Sequence, residues 1–169
     1  MRKAIILLGA LVLAVVMGAG AAASPGTVVV RGGEMFAPNA LIQSTFRFSP
    51  GQVNADSGQT LTWVDEDRAA EEPHTVTLVD EADLPTDVEE VFGCQAPGEP
   101  CDDALAAHFG GGTPVQVIDV GSPGLDAPGD SLLFFSDGSI SGTISAPAGS
   151  TLFYLCAIHP WMQGSIIVG

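Results

Sequence analysis

From Thr27 to Val168 the chain is written in short apolar or alternating segments separated by turn residues. Alternation with a period of two over four to seven residues is the mark of a strand with one buried face. It predicts strands over Thr27–Arg31, Thr45–Phe48, Gln52–Ala55, Thr60–Val64, His74–Val79, Val115–Val120, Leu132–Phe135, Gly142–Ser145, Thr151–Cys156 and Gly164–Val168. Ser49-Pro50-Gly51, Ser136-Asp137-Gly138 and Ala146-Pro147-Ala148-Gly149 carry the residues that tight turns require. Many short strands joined by such turns specify an all-β sandwich or barrel.

The period changes after Val79. A short helical pattern runs from Val88 to Phe92, and a second covers Asp102–Phe109, with Asp102 and Asp103 suited to a helix N-terminus and Gly110-Gly111-Gly112 to its stop. His108 falls in the last turn of that helix, where the dipole favours an imidazole, and is read as structural. Met35, beside Phe36, is read as core packing.

The N-terminus has a different character. Arg2 and Lys3 precede an apolar run from Ala4 to Met17, and Ala21-Ala22-Ala23 supplies small residues for cleavage, so residues 1–23 read as a secretory signal. The run is shorter than the ~20 residues of a spanning helix, the alternative being an uncleaved anchor. The rest, 24–169, is one domain with no membrane span after cleavage. Export places the protein in the periplasm, outside the cell or at its surface.

With 20 acidic and 5 basic residues the formal net charge is -15, and loss of Arg2 and Lys3 makes it two units more negative. Such a chain repels phosphate backbones, which excludes nucleic acid as a partner. The acids are spread along the whole sequence, as a soluble monomer's surface or as a field that steers basic partners.

Export also changes the reading of the three cysteines, because an odd number in an oxidising compartment leaves one thiol unpaired. Cys94 and Cys101 bracket the turn-rich Gln95-Ala96-Pro97-Gly98-Glu99-Pro100 and are the expected disulfide. Cys156 is then the free thiol. It opens the stretch Cys156-Ala157-Ile158-His159-Pro160-Trp161-Met162, where thiol, imidazole and thioether fall within one turn. Soft sulfur donors with an imidazole favour copper, whereas zinc gains little from a thioether. A Cys–His nucleophile pair would need a third residue to orient the His, and no Asn or Asp follows nearby. Of the two remaining histidines, His74 shares an alternating strand face with Val76 and Leu78 and so points into a core. Two imidazoles, a thiolate and a weak axial thioether form the trigonal type 1 copper site.

On these residues the chain resembles the cupredoxins, the type 1 blue copper proteins, and within them the amicyanin and plastocyanin group. The likeness lies in Cys156-x-x-His159-Pro160-aromatic-Met162 ahead of Gly164, in Gly58-Gln59-Thr60-Leu61-Thr62-Trp63-Val64, and in an acidic loop followed by Pro73-His74. It covers roughly 27–79 and 139–169. It implies a cupredoxin-like Greek-key β-sandwich, one type 1 copper held by His74, Cys156, His159 and Met162, and one-electron transfer between redox proteins such as a cytochrome or dehydrogenase. Against that pattern the stretch from about 80 to 138 is a disulfide-bearing, partly helical insertion. The family commonly has Asn after the first ligand His, to tie the ligand segments together; here Thr75 stands, with a shorter reach. Partner docking is expected at His159, Pro160 and Trp161, within a small apolar face.

Two other classes compete. Blue-copper domains of copper-dependent enzymes such as nitrite reductases or oxidases need a second copper centre, and only His108 is left to build it, so no enzymatic activity is expected. Copper storage or delivery would want clusters of exposed Met or His, which Met1, Met17, Met35 and Met162 do not form.

Overall fold

A strand whose odd positions are apolar must bury that face, and this requirement organises the chain into two facing sheets. The computed structural model describes residues 26–66, 72–136 and 138–169; the expected signal over 1–23 and Asp137 of the expected 136–138 turn lie outside them. One sheet has the order β10 (Ser139–Thr143), β6 (Thr60–Asp65), β1 (Thr27–Arg31), β4 (Arg47–Ser49). The other runs β5 (Gln52–Ala55), β12 (Gln163–Val168), β11 (Thr151–Leu155), β7 (His74–Val79), β9 (Ser131–Phe134), β8 (Val117–Ile118). The pairings β1–β6 and β5–β12 are parallel, so the chain must cross between the sheets, while the pairings around β7 and β11 are antiparallel. Val30, Phe48, Leu61 and Trp63 from the first sheet meet Val76, Leu78, Phe134, Tyr154 and Ile166 from the second in one buried core.

Strand β7 is buried along its whole length. Its inner face, His74, Val76 and Leu78, looks into the sandwich, as the alternation predicts. Its outer face is covered by α2 (Pro100–Phe109), and Val79, Cys101, Ala104, Leu155 and Ala157 form a second, smaller apolar cluster there. Pro100 occupies the first turn of α2, where its missing N–H costs nothing, so the helix starts two residues before Asp102. Cys94 follows α1 (Val88–Gly93), and its disulfide to Cys101 staples the two helices at a Cα separation of 5.2 Å.

Three features differ from the strand pattern. Val115–Val120 pairs only over Val117–Ile118, because Val115, Val117 and Val120 are all exposed and have no buried face to hold a longer ladder. A hairpin absent from the sequence reading, β2 (Glu34–Ala37) with β3 (Leu41–Ser44), stands off the sandwich. Its Met35, expected in the core, is instead exposed with Phe36 and Ile42. Within the stretch 80–138, β9 belongs to the main sheet: it pairs with β7, placing Phe134 opposite His74 and Ser131 opposite Thr77. No helix among the described residues is long and apolar enough to cross a membrane.

Candidate metal centre

The centre lies where β7 begins and β11 ends, at neighbouring strands of one sheet. His74 is the first residue of β7, and Cys156 directly follows β11. The chain after Cys156 closes into a tight turn: His159 N–H donates to the Cys156 carbonyl at 3.0 Å, Met162 N–H to the His159 carbonyl at 2.8 Å, and Cys156 N–H to the Met162 carbonyl at 2.9 Å. Pro160 fixes its own φ inside that turn and restricts His159. Cys156, His74 and Met162 are fully buried, and His159 is 4% exposed.

The structure brings three donor atoms together. The Cys156 Sγ lies 3.9 Å from His74 Nδ1 and 3.7 Å from His159 Nδ1, and all three atoms fall within 4.8 Å of one another. An ion about 2.05 Å from nitrogen and about 2.3 Å from sulfur would separate the two donors by about 3.8 Å at a trigonal angle and about 3.6 Å at a tetrahedral one. The observed separations of 3.9 and 3.7 Å leave room for one ion held by both kinds of donor. Met162 joins the same buried cluster as Cys156.

The polar surroundings orient the donors. Glu72 Oε2 accepts from His159 Nε2 at 2.7 Å, which puts the proton on Nε2 and leaves the Nδ1 lone pair facing the sulfur. Asp65 Oδ2 sits 3.7 Å from His74 Nε2. The Glu72 carboxylate behind the imidazole of His159 fixes its tautomer and ring orientation and raises its basicity as a donor. The Thr75 N–H donates to Cys156 Sγ at 3.3 Å. Burial pushes the Cys156 thiol pKa up, opposed by N–H groups of Thr75, His159 and Ile158 and by the Thr75 hydroxyl. A buried thiol disfavoured as a bare anion becomes a thiolate only where a cation takes the place of its proton.

Phe46 packs against both imidazoles, its ring centroid 5.1 Å from that of His74 and 5.2 Å from that of His159, with the two imidazoles themselves 5.1 Å apart. The hairpin preceding it is thereby brought to the site's rim: Glu34 at its start lies with Glu72 and His159 in a second donor group within 4.8 Å. The face around His159 is therefore acidic as well as apolar. Trp161 is 40% exposed, its ring 5.2 Å from that of His159, while Pro160 is buried.

The insertion grips the same turn. Gln95, inside the disulfide loop, donates to the carbonyls of Ala157 and Ile158 at 3.0 and 3.2 Å, and Gln163 donates to that of Pro85 at 2.7 Å. Gly164 permits the close approach of Tyr154, since a Cβ there would lie 2.3 Å from the ring. Sequence reasoning missed Asp65, Glu72, Phe46 and Gln95. Only Asp65 leaves a signal: with Leu61 and Trp63 it occupies successive inward positions of β6, and an acid on a buried face demands a partner.

No protein-family model matches the chain, and no curated protein matches its sequence. Solved structures similar to it include a purple cupredoxin from Nitrosopumilus maritimus, 15% identical over 85% of this chain and 99% of that one, with a TM-score of 0.42. Auracyanin A, a "blue" copper protein from Chloroflexus aurantiacus, is 21% identical over 73% of this chain and 89% of its own, with a TM-score of 0.42. Amicyanin from Paracoccus versutus is 14% identical over 88% and 84%, with a TM-score of 0.41. The fold itself is the all-β sandwich expected of the sequence.

Proposed function

We propose that the chain is an exported type 1 copper protein that carries single electrons between redox partners, holding one copper ion with His74, Cys156, His159 and Met162. The observation that carries this reading is the convergence of two imidazole Nδ1 atoms on one buried thiol at separations that one metal ion spans. Copper bound there would alternate between Cu(I) and Cu(II). What the protein contributes is rigidity. His74 is fixed at the start of a strand buried on both faces, Cys156 by its place after β11, and His159 by its turn and by Glu72. Donors held this firmly suit neither oxidation state fully, so little reorganisation accompanies the electron.

Partner docking is assigned to the face where Trp161 is exposed beside His159, with Pro160, buried in the turn, shaping that face rather than touching a partner. The 40% exposure of Trp161 and the carboxylates of Glu34 and Glu72 beside His159 support a basic partner such as a cytochrome. Visible and electron-spin spectra of the purified protein with added Cu(II) test the reading. A strong thiolate-to-copper band that disappears in Cys156→Ser is the expected result, and a Ser variant that keeps the colour overturns it.

A further inference from the structure

The hairpin β2–β3 is firmly built although its large side chains are exposed. Its turn closes with Ala40 N–H donating to the Ala37 carbonyl at 3.0 Å, and between them Asn39 takes the left-handed conformation at φ 60° that this residue type tolerates. Its base is pinned where Thr45 N–H donates to the Gly33 carbonyl at 2.9 Å and Gly33 N–H to Thr45 Oγ1 at 3.2 Å. Gly32, at φ 116°, permits that closeness, since a Cβ there would collide with the Thr45 carbonyl. Residues directly opposed in an antiparallel pair share a face. The register puts Glu34, Ser44, Phe36 and Ile42 on one face, and Met35, Gln43, Ala37 and Leu41 on the other.

The Glu34 face is the one turned to the metal centre, because a carboxylate oxygen of Glu34, one of Glu72 and a ring nitrogen of His159 all lie within 4.8 Å of one another. Phe36 and Ile42 continue that face outward, 70% and 78% exposed, and an exposed apolar pair of this size marks an interaction site. Charge decides what fits it. Two carboxylates this close repel each other, and a cation set between them relieves the repulsion. Of the two arginines among the described residues, Arg31 pairs with Glu66 at 2.8 Å and Arg47 donates to the Thr45 carbonyl at 3.4 Å, so neither fills that place. Glu34 is exposed and the Glu72 side chain is 37% exposed, so both are open to a cation from outside. A second copy of the chain fits poorly, since a twofold contact sets the same patch against itself, carboxylate to carboxylate. An anionic membrane surface meets the same repulsion.

We propose that the Glu34, Phe36 and Ile42 face of the hairpin docks the redox partner, a protein whose electron-transfer surface carries an apolar patch bordered by lysine or arginine. This rests on the copper reading and adds a second element to the docking face of Trp161. A partner ammonium or guanidinium group seats between Glu34 and Glu72, and the partner's apolar patch covers Phe36 and Ile42. The carboxylates steer the approach, and the burial of the apolar pair holds the complex. Glu72 accepts from His159 Nε2 at 2.7 Å, so a cation on Glu72 holds the partner over His159, the least buried of the four donors and the shortest route out of the centre. Met35 and Leu41, on the opposite face, take no part.

The test uses the copper-loaded chain with mitochondrial cytochrome c, a basic redox protein, as the probe. Phe36→Ser/Ile42→Ser should leave spectrum and potential unchanged and slow stopped-flow electron transfer about tenfold, as loss of a central apolar anchor does. Met35→Ser/Leu41→Ser should keep the parent rate. Glu34→Gln should slow the reaction and lessen its fall with added salt. Nitrogen-15 NMR of the reduced parent protein should show shifts induced by the cytochrome at Phe36 and Ile42 together with Trp161. An undiminished rate in Phe36→Ser/Ile42→Ser, equal losses in the two double variants, or shifts confined to Trp161 overturns the proposal while leaving the copper reading intact. So does a dimer seen by sedimentation, or binding to phosphatidylcholine vesicles, that Phe36→Ser/Ile42→Ser abolishes. A chain that takes up no copper overturns both.

Discussion

The hydroxyl of Thr75 accepts from the N–H of Ala157 at 2.7 Å and so ties the strand that carries His74 to the turn that carries Cys156. Threonine performs this link despite its short reach because β7 and β11 pair directly, bringing the two segments within one hydrogen bond. Thr75→Val keeps the shape but leaves a buried N–H without its acceptor, which costs about 1–3 kcal/mol. Chemical denaturation of the metal-free protein should show a loss of that size, recovered largely by Thr75→Ser.

Tyr154 is buried between Phe48 and Trp63, with ring centroids 5.0 and 5.9 Å away. Burial raises its pKa from 10.0 to about 12. The folded value lies above the unfolded one, so its contribution is fully present below pH 10 and fades as pH rises toward about 12. Two units correspond to roughly 3 kcal/mol. Urea midpoints measured across this window should fall for the parent protein and flatten in Tyr154→Phe.

Closing the loop between Cys94 and Cys101 stabilises the fold by about 2.5 kcal/mol in the chain-entropy model. The double variant Cys94→Ser/Cys101→Ser should unfold at correspondingly lower denaturant. Cys156 is chemically separate and buried, so the variant should keep its thiolate-to-copper band. Gln95 would lose its anchored loop, and faster copper release should follow, read by transfer to a chelator.

Trp161 presents its exposed indole beside His159. Trp161→Ala should leave spectrum and potential unchanged and slow stopped-flow electron transfer to a basic cytochrome. The rate should also fall with added salt, because the field comes from exposed carboxylates that ions screen. An undiminished rate removes Trp161 from the docking face.

Sequence alone was sufficient wherever the determining contacts are local. Cys156 and His159 share one turn with Met162, so the meeting of thiol and imidazole needs no knowledge of distant chain, and the inward direction of His74 follows from its parity with Val76 and Leu78. The odd cysteine count and a separation of seven residues likewise pointed to the Cys94–Cys101 bond. Tertiary structure decided everything that depends on which strands become neighbours. The carboxylates of Asp65 and Glu72 meet the imidazoles only through sandwich packing, and Phe46 packs against both rings for the same reason. Helix α2 was legible from its capping residues, but not that it would cover β7 and carry His108 onto Ser131. The hairpin Glu34–Ser44 escaped notice because its apolar residues are exposed, leaving no period for burial to impose. Periodicity records which face of a segment is buried; it holds no information about what lies against that face.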